Sequence, residues 1–242
     1  MKDINGEKLQ LMYIFPNLFT AASAFLGMIG IIASSNGQFE KAGIYILLSL
    51  VLDGLDGRVA RLTNTTSKFG AEFDSLADVI AFGASPAMLF YFSIGYQFGK
   101  LGALFSALYV VFGAIRLARF NVMSASTEPS VFIGIPIPGA AVALTMWVLA
   151  YLNYQFLHGL EIVMLLALGF LSFLMVSNIR YPSFKKIDLK KANIIKVLVG
   201  LIVIFSMLYL YPIESTTFLI TAYLFYGVFR TVYKHMIAKN KK

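Results

Sequence analysis

Long stretches of apolar residues occupy most of this chain and restrict what it can fold into. Five stretches carry few or no charges: residues 11–34, 43–52, 102–115, 162–176 and 194–210. Several approach the roughly 20 residues that an α-helix needs to cross the hydrocarbon of a bilayer. Only 13% of the residues are charged, whereas soluble domains carry about 25%. The sequence therefore predicts an all-α fold, a polytopic transmembrane helical bundle.

The hydropathy pattern predicts about eight spans. These are residues 15–34, 40–62, 70–95, 101–122, 136–152, 160–179, 194–211 and 216–234. Of the 20 Lys and Arg residues, only Lys41 and Lys100 then fall on one side of the membrane. The positive-inside rule places the other side, with both termini, in the cytoplasm. The first stretch is longer than the apolar region of a secretory signal, which favours a retained span.

The connections between the predicted spans are too short to hold a separate soluble domain. Residues 1–242 are therefore predicted to form one integral-membrane domain, with a core at 11–180 and additional C-terminal spans at 194–234. Residues 124–134 are predicted to be a cytoplasmic loop. The basic segment 180–191 either contacts anionic lipid headgroups or only fixes the orientation of the chain.

The charge and the cysteine content exclude some classes of partner. The net charge is +8, but no basic stripe with interleaved aromatic residues occurs in any polar segment. We therefore expect membrane lipids as partners, and no nucleic acid. The chain has no cysteine, so neither disulfides nor thiolate metal ligands are available.

Four aspartates interrupt the apolar pattern between residues 51 and 86. Asp53 and Asp56 lie three residues apart, and Asp74 and Asp78 lie four apart. Each pair therefore projects from one face of its helix. The two helices are consecutive and joined by a short link, which predicts antiparallel neighbours and four converging carboxylates. An Asp near the centre of a membrane helix costs roughly 2.5–3.5 kcal/mol, so something must offset that cost.

Two explanations for these acids can be compared. In a purely structural ion-pair network, Arg58, Arg61 and Lys68 would neutralise them. However, these three cations face five acids when Glu72 is counted. The surplus of acids favours bound divalent metal. Oxygen ligands with no His or Cys nearby suit Mg²⁺, Mn²⁺ or Ca²⁺ rather than zinc.

Small residues accompany the acids. Gly54 and Gly57 each cost about 1 kcal/mol relative to Ala inside a helix, so the missing side chain is expected to have a use. Gly57, Ala60 and Gly70 would leave a smooth wall beside the acids, against which a flat ring could lie. The alternative use is close packing between helices.

The same stretch matches a known family signature, D-x-x-D-G-x-x-A-R-x(8)-G-x-x-x-D-x-x-x-D. Its eight fixed positions are occupied by Asp53, Asp56, Gly57, Ala60, Arg61, Gly70, Asp74 and Asp78. The chain therefore resembles the CDP-alcohol phosphotransferase family. The resemblance implies that the four aspartates hold two divalent cations, Mg²⁺ or Mn²⁺, with Ca²⁺ as another occupant. It also implies that Gly57, Ala60 and Gly70 line the cytidine pocket, that Arg61 helps to hold the nucleotide phosphates, and that Asp78 is the general base.

A narrower resemblance extends from near the N-terminus to residue 186. The segments IFPNLFTAAS, AFGASPA, IRLARFNV, FIGIPIPGAA and MVSNIRYPSFKK are similar to those of the integral-membrane phosphatidylserine synthases. This resemblance implies L-serine as the acceptor and CDP-diacylglycerol, or an archaeal CDP-ether lipid, as the donor. The family resemblance also implies a homodimer.

The acceptor site is less defined by the sequence than the acidic site. Arg116 and Arg119 are three residues apart at the end of the fourth span and could hold the carboxylate of serine, with Asn121 and Ser85 as neutral candidates. The alternative for the arginines is anchoring at the cytoplasmic surface with snorkelling side chains.

Two other functions are weighed against serine transfer. An acceptor carrying a phosphate, such as inositol phosphate or glycerol phosphate, would demand additional cations in the site. A membrane transporter with an intramembrane acidic site would more often show paired repeats with broken helices, and the sequence shows none. An enzyme is therefore favoured over a transporter. Its site is expected near the cytoplasmic face, because Asp56 and Asp78 bracket a connection that the charge rule places inside.

Overall fold

The structure is a computed structural model and describes residues 4–123, 131–182 and 194–239. Its helices are α1 (Ile4–Ser35), α2 (Phe39–Leu62), α3 (Lys68–Asp78), α4 (Ser85–Ser93), α5 (Lys100–Met123), α6 (Ile137–Asn153), α7 (Glu161–Val176), α8 (Ile194–Leu210) and α9 (Pro212–Lys239). A π-helical turn, Val79–Ala84, joins α3 to α4 without a break. Short 3₁₀ turns lie at Gly95–Phe98 and Gln155–Leu157.

Each of the eight predicted spans corresponds to a helix, and the third comprises α3, the π turn and α4. The helical fold class is therefore confirmed. Three segments are long and apolar enough to cross a membrane: Ile14–Ser35, Lys68–Ser93 and Lys100–Val122. Shorter apolar helices occur at Ile137–Asn153, Glu161–Val176 and Val197–Leu210. The number of spans and the orientation of the termini stay predictions.

Helix α1 packs along α2 and also against α3, the π turn and α4. Two glycines of α1 allow this close approach. A Cβ on Gly27 would lie 2.6 Å from the Cα of Ala81, and one on Gly30 would lie 2.5 Å from Ser85 Oγ. Small residues at a helix interface allow two backbones to come together without a void. Helix α1 thus packs against both α2 and α3, the two helices on which the aspartates lie.

A two-stranded antiparallel ribbon adds a feature that the helical prediction did not include. Strand β1 (Val131–Ile133) pairs with β2 (Arg180–Pro182), with Phe132 opposite Tyr181. The predicted loop at 124–134 thus ends in a strand, while residues 124–130 and 183–191 lie outside the described part of the chain. Gly134 follows β1 with a φ of +72°, and a Cβ there would lie 2.3 Å from the carbonyl oxygen of Met175.

The last two helices differ in how they meet the rest of the bundle. Helix α9 packs on α6, where Trp147 Nε1 donates to Thr221 Oγ1 at 2.9 Å. Gly227 of α9 lies against the ring of Tyr181 in β2. Helix α8 packs mainly against α9, and the side chains of residues 197–207 are exposed. The boundary between a core and additional C-terminal spans stays a prediction.

Candidate functional site

The structure brings three of the four predicted aspartates into one group. One carboxylate oxygen from each of Asp53, Asp56 and Asp74 lies within 4.8 Å of the other two. Asp78 is outside this group but interacts electrostatically with Asp53 and Asp74. Asp56 and Asp78 are buried, with 6% and 8% of their surface exposed. Helical spacing on α2 and on α3, together with packing of both helices on α1, produces this convergence.

The link between α2 and α3 reverses the chain within five residues. Asn64 adopts a positive φ of 53°, which Asn tolerates better than most residues. Ser67 then caps α3, because its hydroxyl accepts a hydrogen bond from the backbone N–H of Gly70 at 2.9 Å. This tight reversal allows Asp56, in the second half of α2, and Asp74, in the second half of α3, to lie close together.

An open cleft of about 540 Å³, a volume that includes solvent-exposed space, lies beside the acids. It is lined by Pro16, Asn17, Thr20, Asp56, Gly57, Ala60, Arg61, Thr65, Thr66, Ser67, Gly70, Ala71 and Asp74. All four residues predicted to bind the nucleotide belong to this lining. A Cβ on Gly57 would lie 3.4 Å from Arg61 Nη1, and one on Gly70 would lie 3.2 Å from Ser67 Oγ. Side chains at these two positions would therefore crowd the cleft.

Helix α1 contributes polar residues that the sequence reasoning did not single out. Thr20 Oγ1 donates to Asp56 Oδ2 at 2.6 Å, and Asn17 also lines the cleft. Two signals in the sequence point to them: both lie in the segment IFPNLFTAAS, and their spacing of three residues within an apolar helix puts them on one face. The partner of Thr20 could not be identified from local sequence, because Asp56 lies 36 residues away along the chain.

The carboxylates fit a hard divalent cation. Asp74 Oδ1 is buried and has no hydrogen-bond partner among the described residues. Such an orphaned oxygen is costly unless a cation or another donor satisfies it. The nearby ligand atoms are all carboxylate oxygens, a donor set that suits Mg²⁺, Mn²⁺ or Ca²⁺. The group of Asp53, Asp56 and Asp74 could therefore hold a metal ion.

The four candidate acceptor residues lie in different surroundings. Arg116 is 7% exposed, interacts electrostatically with Asp78 and lies 5.4 Å from the ring centre of Phe120. Its Nε atom has no hydrogen-bond partner within the described part of the chain. Asn121 donates from Nδ2 to Ser75 Oγ at 2.9 Å, which joins α5 to α3 next to Asp74. Arg116 and Asn121 are therefore the candidates nearest to the acids.

The other two candidates make contacts away from the cleft lining. Arg119 donates from Nη1 to the carbonyl of Val176 at 3.1 Å and from Nη2 to Asn178 Oδ1 at 2.6 Å. It thereby joins α5 to the end of α7. Ser85 is fully buried beside Gly30, where α1 meets α4. The acceptor roles of Arg119 and Ser85 stay predictions.

The fold and the site together define a helical protein with helices of membrane-spanning length and a carboxylate cluster beside an open cleft. Residues 13–173 match the family model described as CDP-alcohol phosphatidyltransferase. The match covers more than half of the chain, and the chain belongs to the CDP-alcohol phosphatidyltransferase family. The resemblance that the aspartate signature indicated is thus confirmed.

Several curated proteins are similar over most of the chain. The CDP-diacylglycerol–serine O-phosphatidyltransferase of Helicobacter pylori is 51% identical over 95% of this chain and 97% of that protein. The archaetidylserine synthase of Methanothermobacter thermautotrophicus is 36% identical over 74% of each chain. The CDP-diacylglycerol–serine O-phosphatidyltransferase of Bacillus subtilis is 35% identical over 72% of this chain and 93% of that protein.

Proposed function

We propose that this chain transfers the phosphatidyl group of CDP-diacylglycerol to the hydroxyl of L-serine, giving phosphatidylserine and CMP. The observation that carries the proposal is the convergence of Asp53, Asp56 and Asp74 beside the cleft. The H. pylori relative, 51% identical over nearly the whole chain, supports serine as the acceptor. The similarity to an archaetidylserine synthase supports a CDP-ether lipid as the alternative donor.

The nucleotide of the donor would lie in the cleft. Gly57, Ala60 and Gly70 place no side chain larger than a methyl group along that part of the cleft, so the flat cytosine ring can pack there. Arg61 also lines the cleft, so its planar guanidinium can hold the phosphate oxygens next to the carboxylates. The diacylglycerol part of the donor would stay in the bilayer, because its acyl chains are apolar.

Two divalent cations, Mg²⁺ or Mn²⁺ with Ca²⁺ as another occupant, would be held by Asp53, Asp56, Asp74 and Asp78. When bound, such a pair stabilises the negative charge that develops on the attacking and leaving oxygens of an in-line displacement. The positive charge of the two cations would also neutralise the negative charge of the aspartates. Four carboxylates could then remain together in a largely buried site. Asp74, whose Oδ1 has no hydrogen-bond partner among the residues that the structure describes, would be a ligand through that atom.

Asp78 would act as the general base. It accepts the proton of the serine hydroxyl while the serine oxygen attacks the phosphorus bonded to the lipid. The bond from that phosphorus to the oxygen of CMP breaks, and CMP leaves with the electron pair. No covalent bond between the protein and the phosphatidyl group is needed. The interactions of Asp78 with Asp53 and Arg116 support this role, because they keep its carboxyl group close to the proposed cations and to the acceptor candidate.

The zwitterionic acceptor requires a cation for its carboxylate. Arg116 would supply that cation, because it is buried, lies near Asp78 and has an unpartnered Nε among the described residues. Asn121 would add a neutral contact at the same edge of the site. Arg119 and Ser85 remain further candidates, although Arg119 already donates to Val176 and Asn178.

The proposed membrane arrangement follows from the distribution of charge. Residues 1–242 would form one multi-pass domain with about eight spans and both termini in the cytoplasm. The link between Asp56 and Asp74 would then face the cytoplasm, where water-soluble serine and CMP can exchange. A homodimer is the proposed assembly, and membrane lipids surround it.

Incorporation of serine into lipid tests the proposal. The purified chain in lipid nanodiscs would receive CDP-diacylglycerol, Mn²⁺ and radiolabelled L-serine. We expect label in the organic phase that depends on the donor and is lost in Asp74→Asn. Label that stays in the aqueous phase with a folded, metal-loaded protein would contradict serine as the acceptor.

A further inference from the structure

Three hydroxyl side chains form hydrogen bonds between α1 and α2. Ser23 Oγ donates to the carbonyl of Ser49 at 3.1 Å, and Ser49 Oγ donates to the carbonyl of Ser23 at 3.0 Å. About one helical turn before Ser23, Thr20 Oγ1 donates to Asp56 Oδ2 at 2.6 Å. The serine pair involves only backbone acceptors, whereas Thr20 contacts one of the clustered carboxylates directly.

The hydroxyl of Thr20 donates its single proton to Asp56. Its side chain is 3% exposed, so water does not compete freely for the bond. The carbonyl of Pro16 lies 3.2 Å from the same oxygen, but a hydroxyl has one proton to donate, and the charged carboxylate at 2.6 Å is the stronger acceptor. Thr20 therefore fixes one oxygen of Asp56.

The hydrogen bond from Thr20 restricts the rotation of the Asp56 carboxylate. The terminal torsion of an aspartate side chain is broad, so the carboxylate can otherwise rotate. Because Oδ2 is bonded to Thr20, the carboxylate of Asp56 keeps one orientation toward a cation shared with Asp53 and Asp74. Partners of this kind orient ligands around many metal sites.

We infer that Thr20 is a positioning residue, which holds the carboxylate of Asp56 in the orientation that this ligand presents to the cation. The inference rests on the proposed metal site. It adds a residue of α1 to a site whose signature lies entirely on α2 and α3. The reciprocal pair of Ser23 and Ser49 holds α1 against α2 independently, so the register of the two helices does not depend on Thr20.

Mn²⁺ binding to the purified protein without substrate tests this inference, with electron paramagnetic resonance as the readout. Thr20→Val keeps the shape of the side chain and removes the hydroxyl. We expect its Mn²⁺ affinity to fall about 10–100-fold, as is typical when a residue that orients a ligand is lost. Thr20→Ser keeps the hydroxyl and should bind Mn²⁺ within a few-fold of the wild type.

Two control variants separate positioning from packing. Thr145→Val makes the same change at a buried threonine of α6 whose hydroxyl has no partner among the described residues, and should leave Mn²⁺ affinity unchanged. Ser49→Ala removes a bond between α1 and α2 without touching Asp56, and should lower thermal stability more than Mn²⁺ affinity. Activity of Thr20→Val should recover as Mn²⁺ is raised, with a shifted half-saturating concentration.

The outcomes distinguish the inference from the proposed site. If Asp56→Asn loses Mn²⁺ affinity while folded Thr20→Val binds like the wild type, the role of Thr20 is wrong and the metal site stands. If Thr20→Val does not fold, Thr20→Ala provides the same comparison, and equal loss of affinity in Thr20→Ser and Thr20→Ala overturns the inference. If the wild type binds no Mn²⁺, the proposed site fails and the inference fails with it.

Discussion

Arg116 and Asp78 interact electrostatically, and both side chains are buried, with 7% and 8% of their surface exposed. A buried cation and a buried anion each require a partner, because leaving either one unpaired is costly. Arg116 lies on α5 and Asp78 ends α3, so this relationship connects the proposed general base to the helix that carries three of the four acceptor candidates. The proposed function gives Arg116 two roles, supporting Asp78 and binding the carboxylate of serine.

Arg116→Met tests the acceptor role. It keeps most of the length of the side chain and removes the charge. A hydrogen bond to a charged group contributes roughly 1.5–3 kcal/mol, which corresponds to a rise in the KM for serine of about 10–150-fold. Steady-state kinetics at saturating donor would measure this rise. Arg58→Met, at an exposed position of α2, is the matched control and should keep the serine KM. A fall in stability with an unchanged KM would show that Arg116 is an anchoring residue instead.

Asn substitutions at Asp53, Asp56 and Asp74 test their role as metal ligands. Each variant keeps the size of the side chain and weakens the donor, so activity should fall to background and Mn²⁺ affinity should fall with it. Calorimetric or spectroscopic Mn²⁺ titration, run beside CMP release, would measure both. Glu72→Gln, at an exposed position of α3 two residues from Asp74, should retain metal binding.

A structural ion-pair role for the same aspartates has a different signature. In that case the Asn variants would lose thermal stability or fail to fold, and their residual activity would not depend on the metal concentration. Near-normal turnover in Asp56→Asn with an unchanged metal dependence would reject the ligand assignment altogether.

Asp78→Asn separates the general base from the ligands. General-base catalysis typically contributes about 10²–10⁴-fold, so kcat should fall by at least that much while affinity for the CDP-lipid falls less. Single-turnover CMP release, with donor affinity and Mn²⁺ affinity measured on the same preparation, would test this split. A collapse of all three would make Asp78 a ligand like its neighbours, and wild-type single-turnover rates would exclude both roles.

The absence of native cysteine makes a labelling test of the membrane topology direct. Single cysteines in place of Asn36, Gln97 and His158, all at exposed helix ends, should react with an impermeant reagent from outside the cell. Thr66→Cys, in the link between α2 and α3, should react only after the membrane is opened. Labelling of the first three from the inside would overturn the predicted orientation.

The local parts of the structure could be predicted from the sequence, because they depend on periodicity. Apolar runs predicted the helices, and the spacing of Asp53, Asp56, Asp74 and Asp78 predicted the cluster. Contacts between distant segments could not be predicted in the same way. The ribbon between 131–133 and 180–182 has only three residues per strand. Strands this short cannot show the alternation of apolar and polar residues that predicts a strand.

Thr20 shows the same limit within the site. A threonine in an apolar helix usually bonds to a carbonyl of its own helix, and Thr20 does lie 3.2 Å from the carbonyl of Pro16. Only the packing of α1 on α2 reveals that Asp56 is its stronger partner. The π turn after Asp78 is a similar case, because nothing in the composition of Val79–Ala84 distinguishes it from an ordinary helix.

Release of CMP with a panel of acceptors tests the central claim most directly. The purified chain in nanodiscs would receive CDP-diacylglycerol and Mn²⁺ with serine, inositol, inositol phosphate or glycerol phosphate, in separate reactions. The proposed function predicts rapid CMP release with serine alone and phosphatidylserine as the lipid product. Faster release with a phosphate-bearing acceptor than with serine, or no CMP from any acceptor with a folded and metal-loaded protein, would contradict it.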